Sequence, residues 1–124
     1  MTTYMKSLGF VFAGAIIGSL LRILFLTFET EYFPFMLLLV NILGCGYAGT
    51  IVQFCRTNKL SSHWFQFHVA GIAGGTTTFA GFVYELMVYG QQQEYVYIGF
   101  WLAATLLLCT AGFLLGLHVG KRLE

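Results

Sequence analysis

Four apolar stretches alternate with short polar connections along the chain. They run over roughly residues 5–27, 33–54, 65–89 and 95–118. A helix needs about 20 mostly apolar residues to cross a bilayer, so the pattern predicts four transmembrane helices. The connections read FETEY, CRTNKLSSHW and GQQQE. Pro34 opens the second stretch, where its missing N–H does no harm. Glycines recur at helical spacing, Gly14 with Gly18 and Gly112 with Gly116 and Gly120. Such rows let helix backbones approach closely in lipid. The third stretch holds GGTTTFAGF, residues 74–82. A glycine pair permits unusual backbone angles, and threonine hydroxyls satisfy backbone groups freed by a break. The spacing therefore predicts a third helix broken mid-membrane, a feature that transport proteins use to bind ions.

Composition supports the membrane reading. Of 124 residues, 58% are hydrophobic and only 9% charged, with a mean hydropathy of +0.80. A soluble domain carries about 25% charge. The length suits one domain, here residues 1–124 as a single four-span unit in the cell membrane. Net charge is +1, and no basic patch interleaves with aromatics, so no nucleic-acid partner is expected. Lys6 before an apolar run imitates a signal peptide, but no cleavage site followed by a soluble domain appears, so a first membrane helix is expected. Cys45, Cys55 and Cys109 are odd in number and form no motif, which suits packing residues. His63, His68 and His118 have no partner four residues away, so no histidine metal site is expected.

Charge placement sets an orientation. Lys6, Arg56, Lys59, Lys121 and Arg122, five of the six basic residues, fall on one side of a four-span layout. Glu29, Glu31 and Glu94 fall on the other, with only Arg22 near them. The positive-inside rule places both termini in the cytoplasm.

Several polar residues sit where hydrocarbon penalises them: Arg22, Asn41, the threonine run and Glu85. An ionisable residue within a span costs about 2.5–3.5 kcal/mol on insertion scales unless it is paired or wet. Arg22 has two readings, a side chain snorkelling to the headgroups or a cation drawing anions into a vestibule. Asn41 either glues two helices or offers its N–H donors to an anion. Phe79 and Phe82, three apart on one helix face, read as plain core or as an aromatic wall. Ring edges are positive and ring faces negative, so edges suit a small anion.

Together, GAIIGSLLR, VNILGCGYAG and GGTTTFAGFVYE resemble the Fluc (CrcB) family of fluoride channels over nearly the whole chain. The resemblance implies a four-helix chain paired as an antiparallel, dual-topology dimer with two fluoride paths and a buried structural sodium ion. It implies that Phe79 and Phe82 line the fluoride path, with Asn41 beside them and Arg22 toward the aqueous vestibule. Glu85 matches an acidic residue of the third span and is expected to belong to the fluoride pathway. Gly74 and Thr77 match residues whose backbone carbonyls hold sodium. A polar track in the fourth span maps to Trp101, Thr105 and Cys109, where the family commonly has Tyr, Ser and Ser. Leu37 stands where a threonine is common. No covalent chemistry or enzyme activity is implied.

Two rivals remain. A proton-coupled small multidrug transporter has similar length and pairing, but needs a carboxylate deep in the first span, and none occurs from residue 1 to 28. A supporting subunit of a heterodimeric fluoride channel fits the altered fourth-span track. The one-sided charge also argues that the chain pairs with an oppositely oriented homologue, because dual-topology homodimers need weak bias.

Overall fold

The computed structural model describes residues 1–57 and 59–124; Asn58, within the second connection, lies outside the described residues. The elements are α1 (Thr2–Leu26), α2 (Phe35–Arg56), α3 (Ser62–Gln66), a π-helical segment (Phe67–Ala73), α4 (Gly74–Thr76), α5 (Phe79–Gln91) and α6 (Tyr95–Arg122). No strand occurs among the described residues. Helices α1, α2 and α6 are each long and apolar enough to cross a membrane. The third apolar stretch is divided. Its first half ends with α4 at Thr76, and its second is the 13-residue α5.

Helix ends follow from local chemistry. Pro34 sits at the cap of α2 rather than inside it. The first N–H groups of a helix have no internal partner. Here the Glu29 carboxylate, from the preceding connection, accepts the N–H of Met36 at 3.1 Å and of Leu37 at 2.8 Å. A negative group at a helix N-terminus also opposes the positive end of the dipole. The last turn of α6 carries Lys121 and Arg122, the favourable sign for a C-terminus.

Two helix pairs make the body, and glycines set the distance within each. The first pair is α1 against the π segment and α4. A Cβ on Gly14 would collide with the Phe67 carbonyl, and one on Gly18 with the Ile72 carbonyl. From the other side, Gly71 faces Gly14 and Gly75 faces Ala15. The second pair is α2 against α6. A Cβ on Gly116 would collide with the Gly46 carbonyl, and one on Gly49 with the Phe113 carbonyl. Thr50 ties this seam, its hydroxyl lying 3.1 Å from both the Gly46 and Gly116 carbonyls. Lipid tails supply no hydrophobic drive between helices, so this backbone-to-backbone packing supplies the cohesion.

The pairs meet through α2, which packs on α1, the π segment and α4. Tyr47 of α2 hydrogen-bonds His68 of the π segment. Helix α5 joins α2 and α6 through an apolar cluster of Phe33, Leu37, Leu38, Phe82, Tyr89 and Trp101. Trp101 is fully buried.

Gly116→Val should disrupt the α2–α6 seam, because the new side chain meets backbone that cannot yield; overpacking costs about 1–3 kcal/mol. Gly99 has nothing within 4 Å of a built Cβ, so Gly99→Ala should be neutral or stabilising by up to about 1 kcal/mol. Thermal unfolding in detergent checks both. Equal Tm values for Gly116→Val and the parent would contradict the packing.

Candidate functional site

The centre of the site is two residues of extended backbone. Thr77 has φ −77° and ψ 155°, and Thr78 has φ −143° and ψ 114°. β-branched side chains favour such angles. The Thr77 N–H still closes the last helical turn on the Ala73 carbonyl at 2.9 Å, but the Thr78 N–H and both threonine carbonyls fall outside the helical pattern and need other partners.

Asn41 of α2 supplies them for Thr78. The Thr78 N–H donates to Asn41 Oδ1 at 2.8 Å, and Asn41 Nδ2 reaches the Thr78 carbonyl at 3.5 Å. A backbone N–H only donates, so the facing side-chain atom is the amide oxygen. The side chain thus acts as a neighbouring strand would, while α2 remains a helix. Asn41 is buried and keeps one further N–H.

The three threonines have distinct tasks. Thr76 Oγ1 donates to the Ile72 carbonyl at 2.8 Å, and Thr77 Oγ1 to the Ala73 carbonyl at 3.0 Å. They saturate the last turn of the first half, leaving neither hydroxyl hydrogen for a ligand. Thr78 Oγ1 accepts the Gly81 N–H at 3.0 Å and caps α5, in the usual role of an N-cap residue. Gly44 makes room for the break, since a Cβ there would collide with Thr77 Cγ2.

The break exposes two helix ends of opposite character. At the end of the first half, Arg22 Nη1 donates to the Thr77 carbonyl at 3.1 Å. A cation suits the negative end of a helix dipole. Gly74 lies on the exposed side of α4, where a built Cβ would approach only the Val69 carbonyl, at 3.7 Å. At the other side of the break, α5 begins with Phe79, and its N-terminus carries the positive end.

Two grooves adjoin the break. One, of about 230 Å³, is lined by Asn41, Cys45, Thr77, Thr78, Phe79, Phe82, Thr105, Leu106 and Cys109. It gathers five of the residues singled out in the sequence for an ion path: Asn41, Phe79, Phe82, Thr105 and Cys109. The Phe79 and Phe82 rings are 5.8 Å apart and tilted by 37°. Phe79 is 78% exposed whereas Phe82 is buried at 8%. Trp101 fixes Phe82 by donating Nε1–H to its carbonyl at 3.1 Å and stacking on its ring at 6.3 Å. The Trp101 N–H therefore points to backbone and not to the groove. Thr105 is buried at 8%, and its hydroxyl has no hydrogen-bond partner among the described residues.

The second groove, of about 400 Å³, is lined by Arg22, Leu26, Glu29, Leu37, Thr78, Gly81, Tyr84 and Glu85. It holds the charged residues Arg22 and Glu85 away from the aromatic pair. Thr78 borders both grooves. Cys45, outside the sequence-based set, now joins the site, and Thr78 is singled out from the threonine run, whose other two hydroxyls are spent on backbone carbonyls. Thr78 had a signal in its place immediately before FAGF, where an N-cap is expected. Cys45 had one in lying four residues after Asn41, on the same helix face.

This geometry defines a class: a small, all-helical, multi-pass membrane protein whose third span is split beside a polar-and-aromatic groove. The family described as CrcB-like protein, Camphor Resistance (CrcB), matches residues 9–117, which include every site residue named above. The chain is 32% identical over 124 residues to the fluoride-specific ion channel FluC of Granulibacter bethesdensis, covering 96% of this chain and 98% of that one. It is 32% identical over 123 residues to FluC of Roseobacter denitrificans, covering 94% and 97%. It is 28% identical over 112 residues to FluC of Campylobacter jejuni, covering 87% and 92%. The chain belongs to the CrcB family.

Asn41→Leu should leave the Thr78 N–H unpaired and cost about 1–3 kcal/mol. Asn41→Asp, compared at a pH low enough to keep its carboxyl neutral, retains an acceptor for that N–H and a donor for the Thr78 carbonyl and should cost less. Thr78→Ala should cost about 1 kcal/mol through loss of the cap. Unfolding of the three variants in one detergent checks the order; Asn41→Leu as stable as Asn41→Asp would contradict the pairing.

Proposed function

We propose that this chain forms a passive, fluoride-selective channel that releases cytoplasmic fluoride. Fluoride enters cells as the weak acid HF and dissociates inside, so a selective exit path protects the cell. The carrying observation is the buried Thr105 hydroxyl, unpartnered among the described residues, in one groove with Asn41, Phe79 and Phe82. A buried hydroxyl without a partner loses about 1–3 kcal/mol, and a passing anion that accepts its hydrogen offsets that loss. The family membership and the FluC relatives agree with this reading.

A fluoride path must replace a tightly held hydration shell with donors. The chain offers the Thr105 hydroxyl, the remaining Asn41 N–H, the positive end of α5 and the ring edges of Phe79 and Phe82. Arg22 draws anions toward the second groove, where Glu85 and Glu29 keep its charge local. Cys109 continues the track one turn beyond Thr105 with a weaker donor.

Phe79 and Gly74 are exposed in the single chain, which suits coverage by an antiparallel partner. In such a dimer, Gly74 and Thr77 carbonyls from each chain would hold a structural sodium ion. Carbonyl oxygens suit a hard cation, and Gly74 leaves open space beside its backbone. The Thr77 carbonyl has a second lone pair beyond the one Arg22 uses. The strong one-sided charge favours a partner chain of opposite orientation. Cys109 in the track and this bias also favour a second reading, in which the chain supports an active homologue.

Purified chain in liposomes should release fluoride quickly and chloride hardly at all. Phe79→Ile and Phe82→Ile should each cut fluoride release at least about a hundredfold, equivalent to about 2.7 kcal/mol of barrier, with assembly intact. Undiminished release in both variants would remove the aromatic wall from the mechanism. No release from folded chain alone, restored by a co-expressed homologue, would point to a missing oppositely oriented partner; restored release that Phe79→Ile and Phe82→Ile in this chain leave undiminished would mark the supporting role. Separately, reporters fused to the C-terminus should show one dominant orientation; equal signals from both sides would sink the oriented-partner reading.

A further inference from the structure

The groove beside the break has a second rung. Asn41 and Thr105 form the first, one residue from α2 and one from α6. One helical turn further along each helix stand Cys45 and Cys109, and both line the same groove. Both thiols are free. Gly46, Gly49, Gly112 and Gly116 hold the two backbones in contact on the same stretch. The two cysteines therefore border one groove from two elements that cannot drift apart. The Thr105 hydroxyl one turn away is unpartnered among the described residues, so this part of the groove keeps an unused donor.

We infer that Cys45 and Cys109 form a two-thiol site for a soft, two-coordinate monovalent cation of the copper(I) or silver(I) class, and that its occupation closes the groove to anions. The donor set selects the cation. Soft thiolates favour copper(I)-like ions, hard cations require several oxygens, and structural zinc requires four ligands. Among the described residues no cluster of three or more His, Cys, Asp or Glu exists to build a larger site. Two sulfurs, one from each helix, supply the donor number of a two-coordinate ion. Binding exchanges two S–H bonds for two S–metal bonds and releases two protons to water, with no change of oxidation state. The product, thiolate–metal–thiolate, carries one net negative charge. It fills a narrow groove with the sign of charge that repels an anion. Cation capture stands on the thiol geometry alone, whereas closure to fluoride rests on the proposed function.

Silver nitrate in chloride-free buffer is the probe. Cys55 lines neither groove, so a Cys55→Ser background leaves only the pair. Equilibrium dialysis of that protein should find one silver ion per chain, lost when Cys45→Ser or Cys109→Ser is added. Two silver ions per chain, or unchanged affinity in either double variant, would overturn the shared site. Folding of each variant is checked by its elution as a single species in detergent. Silver at about ten times the measured Kd occupies about nine sites in ten, so fluoride release should fall about tenfold. Each variant's release is compared with its own silver-free rate. Full release with silver bound would overturn closure. Silver binding by a chain that passes no fluoride under any condition would count against the fluoride reading and leave the thiol site standing.

Discussion

The structure turns on one constraint: two residues of extended backbone must have their polar groups satisfied without water. In hydrocarbon an unpaired N–H or carbonyl costs several kcal/mol. The third span can be interrupted only because other elements bring hydrogen-bonding groups to it. Asn41 serves the Thr78 peptide from α2, Arg22 serves the Thr77 carbonyl from α1, and the threonines serve the turns on either side. The glycines follow from the same need. Asn41 and Arg22 reach the break only if α1 and α2 approach it closely, and Gly14, Gly18 and Gly44 permit that approach.

Splitting the helix also separates charge. An unbroken helix would hide its dipole ends at the membrane surfaces. A break brings one negative and one positive end to the same depth, roughly half a charge each. The negative end faces Arg22, and the positive end opens beside the groove. A hard cation and a small anion thus find favourable potential a short distance apart, with no formal charge on the groove wall. Phe82 fits this economy. Held by Trp101 through its own carbonyl, it presents a fixed ring to the groove without adding a charge.

Much of this was legible in the sequence, and the rest was not for physical reasons. The break was visible because glycine and threonine have known backbone preferences, and its neighbours because Asn41, Arg22 and Glu85 are costly in a span. The grouping of Asn41, Phe79, Phe82, Thr105 and Cys109 followed the resemblance, and one groove contains all five. The partition of tasks was not readable. TTT is three identical letters, yet two hydroxyls back-bond to carbonyls and one caps α5, a difference set by where each falls on the broken helix. Glu29 read as a surface charge, but it caps α2, because a connection only a few residues long folds it back over the helix start. Trp101 read as part of a polar track, but its N–H is engaged by the Phe82 carbonyl. Cys45 read as packing because Thr105 and Cys109, which line the same groove, are far away in sequence and reach it only through the α2–α6 register.

One asymmetry links the break to the proposed assembly. Of the two phenylalanines, Phe82 is buried against its own chain, while Phe79 is 78% exposed. A single chain therefore builds one wall of the groove and leaves the opposite wall open. The proposed cation site at the Gly74 and Thr77 carbonyls would face the same problem, since two carbonyls cannot enclose an ion. Both incomplete sites border the same two-residue break, so one partner surface would complete both. The break is then a joint as well as a site: the element that costs most within the chain is the one that a second chain is best placed to stabilise. In the proposed assembly, charge would decide which chains meet there, because five basic residues on one side favour one insertion and an antiparallel mate would need the other.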